Sequence, residues 1–358
     1  MRIIIDIGHP GHVHFFKNFI WEMKKKGHEL LIIASKKDVT LELLDAYKIQ
    51  YIISCKRYSG IYQAYELLLR DIQLLKLGRK FKPDILMGIN NTIAAHVSRV
   101  TNAKSIIFTD TEHAKLANAI TFPFCDVICT PSCYNERLGN KQIRYNGYHE
   151  LAYLHPNRFT PNPVVLDEIG LTTNDPYIIL RFVSWQASHD IGHQGIRDKI
   201  DLVRALEPYG RVLITSEGSL PQELENLRIR VSPEKLHDLL YYATMYIGEG
   251  ATTASECAVL GTHAIYVNTL RLGYTDEEEE KYELLYNFSD SSELETRVLD
   301  KAFQLLKDPN LRANGKHKRE KLLKDKIDVT AFMIGFIENY PDSFNQYSDD
   351  CISSIRSE

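Results

Sequence analysis

Ile247 to Gly261 reads IGEGATTASECAVLG, and the reading of this stretch decides the fold. It follows a short apolar segment, Met245 to Gly248, that predicts a strand. Gly248 and Gly250 put two permissive residues at the strand's tip, where the backbone must turn sharply or admit a ligand. Thr252 and Thr253 are good N-caps, and Ala254 to Leu260 then predicts a helix that stops at Gly261. A strand, a glycine turn and a helix N-terminus together form an anion site, since free N–H groups and the positive dipole end point outward. Glu256 lies one turn into that helix, where a carboxylate can accept hydrogen bonds from ribose hydroxyls. The pattern has two readings: a site for a phosphorylated sugar or nucleotide, or an ordinary strand–turn–helix connection with capping threonines.

Outward from this stretch, strands and helices alternate. Arg2 to Ile7, Glu29 to Ala34, Gln50 to Ile53, Asp84 to Met87, Lys104 to Phe108 and Asp126 to Thr130 predict strands in the first half. Helical patterns at Val13 to Lys26, Ile61 to Phe81 and Thr92 to Val100 lie between them, which implies a parallel sheet covered on both faces. Leu154 to Pro163 (LHPNRFTPNP) reads as a linker. The alternation then restarts, with strands at Tyr177 to Phe182, Arg211 to Thr215, Arg228 to Val231, Met245 to Gly248 and His263 to Val267, and helices at Gly195 to Glu207 and Pro233 to Ala243. Beyond Ser291 the chain reads as helical, Val329 to Asn339 is expected to return to the first domain, and the tail after Pro341 to fray. The expected domains are 1–158, 159–325 and a returning segment 326–358.

A chain of 358 residues exceeds the usual single-core size, in keeping with two domains. Hydrophobic residues make up 44% and charged residues 25%, the profile of a globular protein, and no run of 18 apolar residues occurs. The N-terminus reads as a first strand and not as a signal peptide, and six cysteines without framework spacing fit a reduced, cytoplasmic setting. Residues 1–160 carry 22 Lys and Arg against 14 Asp and Glu, the remainder 21 against 33. A basic first half suits an anionic acceptor or membrane surface, while the net charge of −4 and the absence of a nucleic-acid motif argue against nucleic acid. The acidic run Asp276 to Glu280 reads as a solvated loop or helix face.

Gly8-His9-Pro10-Gly11-His12-Val13-His14 follows the first strand and opens the first helix. Three histidines in six residues at a strand's carboxyl end offer a general base or a phosphate ligand, or else cap the helix. The loop is neither a P-loop nor a GxGxxG fingerprint, and it brings no cysteine partner for zinc. Cys125, Cys129 and Cys133 have C-x3-C-x3-C spacing, but Pro131 breaks the segment, and buried apolar thiols are the expected role. Arg57 to Lys82 mixes tyrosines, leucines and bases, and reads as an amphipathic helix packed on its own sheet or docked on a membrane surface.

Four segments in this order (GHPGH, TDTEHA at Thr109 to Ala114, RFVSWQASHDIGHQG at Arg181 to Gly195, and GEGATTASECAVLG) resemble the GT-B superfamily. The chain is similar to its branch of UDP-N-acetylglucosamine 2-epimerases and MurG-like glycosyltransferases, and is identified as a member of the DUF354 family. The resemblance implies an α/β, GT-B architecture: two doubly wound, Rossmann-like domains facing a central cleft, with C-terminal helices crossing back. It implies that Glu256 holds the ribose and that Gly250, Ala251, Thr252 and Thr253 meet the phosphates, with Glu249 standing where a glycine or serine is usual. A carboxylate beside a diphosphate is repulsive unless it binds a metal or turns away.

By the same resemblance TDTEHA places Glu112 toward the sugar, with Asp110 and His113 as neighbours, and His189 matches a histidine of the epimerases. The epimerases' acidic turn after the fourth strand is here Gly88-Ile89-Asn90-Asn91, which removes a carboxylate needed for C2 proton exchange. Arg181 points from a strand end as a phosphate ligand. The implied catalytic candidates are His9, His12, Glu112, His189 and Asp190. Further ligand contacts are expected from Gly8, Gly11, His14, Asn90, Asn91, Ser184, Ser216 and Glu217. The implied activity is transfer from a nucleotide sugar, UDP-linked, to a hydroxyl acceptor in surface polysaccharide or glycoconjugate synthesis, with no cofactor and no metal. The alternatives are a 2-epimerase-like reaction through elimination of UDP, or a non-catalytic sensor of nucleotide sugars. A lipid-linked acceptor, peripheral contact with the inner face of the membrane and homodimerisation complete the partners considered.

Overall fold

The computed structural model describes residues 1–55, 63–183, 196, 198–289 and 293–347. The chain divides into two units, Met1–Tyr153 with Ile327–Glu358, and Leu154–Lys326.

In the first unit the elements run β1 (Arg2–Ile7), α1 (Pro10–Lys25), β2 (Glu29–Ala34), α2 (Thr40–Ala46), β3 (Ile52–Ile53), α3 (Gln63–Phe81), β4 (Ile85–Ile89), α4 (Thr92–Ser98), β5 (Lys104–Phe108), α5 (Lys115–Thr121), β6 (Val127–Pro131), β7 (Gln142–Tyr145) and α6 (Leu151–Leu154). The sheet order is β3-β2-β1-β4-β5-β6-β7, and neighbours pair in parallel. The near-continuous Ile and Val runs follow from burial on both faces: Ile3, Ile4, Ile5 and Ile7 of β1 are all buried. Strand β7 carries no strong sequence signal, because QIRY alternates and adds only at the edge of the sheet. Cys125 and Cys129 are buried beside this edge, and burial pushes the Cys125 thiol up to about 12, as befits core residues.

In the second unit the order is α7 (Val164–Asp167), β8 (Tyr177–Phe182), α8 (Lys199–Leu206), β9 (Arg211–Ser216), α9 (Leu236–Tyr242), β10 (Met245–Gly248), α10 (Ala251–Leu260), β11 (Ala264–Val267), α11 (Gly273–Glu280), β12 (Leu285–Phe288), α12 (Leu294–Leu306) and α13 (Leu311–Asp325). Its parallel sheet runs β12-β11-β10-β8-β9. The strand expected at Arg228 to Val231 forms only one bridge, Ile214 to Arg228, and the Arg228 side chain binds Glu225 and the Ser216 carbonyl. Helix α14 (Val329–Glu338) belongs to the first unit: Thr330 Oγ1 donates to the Ala152 carbonyl at 2.7 Å and Phe332 stacks on Tyr145. The tail does not fray at Pro341, since Tyr347 packs edge-on against Phe332 with centroids 5.3 Å apart.

The acidic run is not wholly solvated. Glu278 on α11 is completely buried and accepts from Ser255 Oγ at 2.6 Å, and burial raises its carboxyl to about 8. A raised carboxyl contributes stability in full below its ordinary value of 4.5 and loses it as pH climbs toward 8. Glu278→Gln is therefore expected to melt like the wild type at pH 4.5 and above it at pH 8, by on the order of 3 kcal/mol. Thermal melts across this range check it, and a constant difference between the two proteins contradicts it.

Candidate functional site

In the second sheet the strand order reverses between the parallel neighbours β8 and β10, and open α/β sheets bind ligands outside the carboxyl ends of strands at such a point. Arg181 is the penultimate residue of β8 and pairs with Gly248, the last residue of β10, so the Gly248-Glu249-Gly250 turn meets it here. The turn is shaped by close approach. A Cβ on Gly250 would lie 3.0 Å from Arg181 Nε, and one on Gly248 would collide with the Tyr246 hydroxyl. Helix α10 starts at Ala251 with Gly250 as its N-cap, and no side chain caps it. Thr252 and Thr253 are thus not caps but first-turn residues. The helix starts earlier because Gly250 takes the extended conformation that a cap requires, and the first-turn N–H groups face the turn without an intrahelical acceptor.

Glu249 turns away from the helix N-terminus. Its carboxylate accepts from the backbone N–H of Val183 and of Ile196, each at 2.8 Å, and only 2% of the residue is exposed. Its N–H donates to the Arg181 carbonyl and its carbonyl accepts from Asn268 Nδ2. The carboxylate therefore binds the two residues that flank segment 184–195, and its charge is met by backbone donors. Arg181 pairs with Glu217 at 2.8 Å. Glu256 is buried, with His237 Nε2 2.9 Å from its Oε1. Beside β9, Ser216, Arg228, Ile229, Val231 and Pro233 line a cavity of about 180 Å³, and apart from Ser216 these residues carry no recognisable sequence signal. Ser216 itself donates to the Gly218 carbonyl. Ser184, His189 and Asp190 lie outside the described residues.

In the first sheet the reversal falls between β1 and β4, whose carboxyl ends carry the GHPGH loop and Gly88 to Asn91. His9 is the N-cap of α1, its Nδ1 accepting from Gly11 N–H at 3.2 Å. His12 Nδ1 accepts from Gly8 N–H at 3.3 Å. Burial, then the nearby His9 and His149, hold His12 well below the ordinary histidine range, so it is neutral. His14 is not at the rim: it is buried with its Nδ1 3.2 Å from the Tyr47 hydroxyl and its ring against Tyr153, because position 14 faces inward on α1. Asn91 caps α4 through Ala94 N–H and donates to Asp6 at 2.9 Å, so its amide is structural, while Asn90 takes a left-handed φ of 45°.

After β5, Asp110 pairs with His149 Nδ1 at 2.9 Å. Burial opposes the charge, but His149 and the Thr111 hydroxyl hold the Asp110 carboxyl below its usual range. Glu112 Oε1 accepts from Asn135 N–H at 3.2 Å, and Glu112 with Lys115, Asn118, Phe122, Glu136 and Lys141 lines an open cavity of about 460 Å³. His113 follows Glu112 in the same turn. His149 is absent from the sequence-level candidates, since a single histidine in NGYHE after an edge strand carries no pattern of its own.

Two parallel α/β units of this kind, with the glycine turn at the second sheet's reversal, define a GT-B fold, which solved glycosyltransferases and UDP-N-acetylglucosamine 2-epimerases share. The MnaA–UDP structure from S. aureus superposes with a TM-score of 0.66 at 10% identity, covering 96% of this chain and 97% of that one. In sequence the chain is similar to MJ0665 of Methanocaldococcus jannaschii, at 24% identity over 73% of this chain and 80% of that protein. It is also similar to the UDP-N-acetylglucosamine–N-acetylmuramyl-(pentapeptide) pyrophosphoryl-undecaprenol N-acetylglucosamine transferase of Clostridium botulinum, at 23% identity over 71% of this chain and 74% of that protein. The chain belongs to the family described as protein of unknown function DUF354, whose model matches residues 1–337.

Proposed function

We infer that this protein is a glycosyltransferase whose second unit binds a UDP-linked sugar and whose first unit binds the hydroxyl acceptor, in the synthesis of a surface polysaccharide or glycoconjugate. The observation that carries the reading is the turn at Gly250. An arginine and the N-terminus of α10, which no side chain caps, converge there; Glu249 is turned into the protein, and Glu217 holds the arginine at 2.8 Å. Fixed dipoles and a guanidinium aimed at one point suit a diphosphate leaving group, whose charge grows as the glycosidic bond breaks. Glu256 stays the ribose candidate, oriented by His237. The UDP in the MnaA–UDP structure supports the nucleotide, and the transferase relative from Clostridium supports transfer.

Epimerisation at C2 needs a proton-exchanging acid, and the turn after β4 supplies Asn91, already committed to Asp6 and Ala94. Incubation with UDP-N-acetylglucosamine alone separates the readings. The transferase reading expects unchanged sugar nucleotide apart from slow hydrolysis, whereas a C2-inverted or unsaturated sugar beside free UDP would establish the epimerase-like reaction.

A further inference from the structure

The sequence points to His9, His12 or Glu112 as the base acting on the acceptor. For the two histidines the hydrogen bonds point elsewhere. His9 and His12 each accept a backbone N–H at Nδ1, from Gly11 and Gly8, so the neutral ring of each carries its hydrogen on Nε2. Both can donate through Nε2, but neither presents a lone pair there. His149 is the reverse case. Asp110 Oδ2 lies 2.9 Å from its Nδ1, which carries the hydrogen, so in the neutral ring Nε2 presents a lone pair. That Nε2 is buried and has no hydrogen-bond partner, and a buried polar atom without a partner calls for an explanation.

The position of His149 is firmly built. Gly147 precedes it where a Cβ would lie 2.5 Å from Val329 Cγ2, the Ala152 carbonyl accepts from both Asn18 Nδ2 and Thr330 Oγ1, and the Phe15 ring packs on the imidazole with centroids 4.5 Å apart. The titratable groups around it are Asp110 after β5, His12 on α1, Tyr145 on β7 and its own neighbour Glu150. Burial, with Asp110 nearby, raises the Tyr145 hydroxyl well above its ordinary value, so it stays neutral and does not compete as a base. Gly8, His12, Asp110 and Glu112 are half-buried at the same end of the sheet.

We propose that His149, oriented by Asp110, is the catalytic base of the first unit, removing the proton from the acceptor hydroxyl, while His12 serves as a neutral hydrogen-bond donor. This rests on the glycosyltransferase reading above. In the step the acceptor O–H bond breaks and its proton passes to His149 Nε2. The freed electron pair forms the new bond to the sugar's C1, and the C1–O bond to the diphosphate breaks with its electrons leaving on the phosphate oxygen. The acceptor hydroxyl, or water in its place, supplies the partner that Nε2 lacks.

The test is UDP release from UDP-N-acetylglucosamine, UDP-glucose and TDP-glucose with water as acceptor, followed across pH, beside calorimetric titration of UDP and thermal melts. His149→Gln is expected to lower the rate roughly 10²- to 10⁴-fold and to abolish the fall in rate at acid pH, with UDP affinity and melting unchanged. Asp110→Asn should lose a comparable factor, the double variant should lose no more than His149→Gln alone, and imidazole should restore part of the rate of His149→Ala. A His149→Gln rate within about threefold of wild type, or an acid limb that persists in it, overturns the assignment of His149 alone. Wild-type protein that neither binds UDP nor releases it from any of the three overturns the glycosyltransferase reading itself, and the base with it.

Discussion

Glu249→Ala is expected to lower the unfolding free energy by about 3 kcal/mol or more, a large loss for a single substitution. The carboxylate holds two backbone N–H groups at 2.8 Å in a setting where the residue is 2% exposed, and alanine would leave both donors buried without an acceptor. Hydrogen bonds to charged groups are worth about 1.5–3 kcal/mol each, and the two here share one acceptor group. Glu249→Gln should cost less, because one amide oxygen can still accept while the amide NH₂ faces the second N–H. Urea denaturation measures both. An alanine variant within about 0.5 kcal/mol of wild type would show that the two bonds do not carry the turn.

The second large effect is on affinity. Arg181→Ala is expected to weaken UDP binding roughly 10- to 100-fold, the worth of a charge-assisted contact at about 1.4 kcal/mol per tenfold. Gly250→Ala should approach the same loss without removing a charge, since its Cβ would sit 3.0 Å from Arg181 Nε and push the guanidinium aside. Arg181→Lys keeps the charge but not the planar fork, and should recover only part of the affinity. Equal UDP affinity in wild type and Arg181→Ala would remove the arginine from the site.

The parallel sheets were legible because their strands are buried on both faces and read as unbroken Ile and Val runs, as in β1 and β5. Edge elements were harder. Strand β7 alternates and β12 (LYNF) is half-exposed, so neither stands out from its surroundings. At the site the sequence marks where backbone must bend, and Gly248 and Gly250 are the examples. It does not mark where side chains turn: Glu249 looks like a repulsive neighbour for phosphate until its two N–H partners are seen, and Glu278 looks solvated until its helix is placed against Ser255. His149 and Asp110 lie 39 positions apart and meet only because β5, β6 and β7 are adjacent in the sheet. No local spacing can report such a pair, whereas the three histidines of GHPGHVH attract notice and are then largely taken up by capping and packing.

The most direct measurement is calorimetric titration of UDP into the full-length protein and into its Arg181→Ala and Gly250→Ala variants. A nucleotide site at the Gly250 turn predicts one UDP per chain, with affinity lower by about tenfold or more in both variants at unchanged melting temperature. Absence of UDP binding in the wild type, or binding that neither substitution alters, would contradict it.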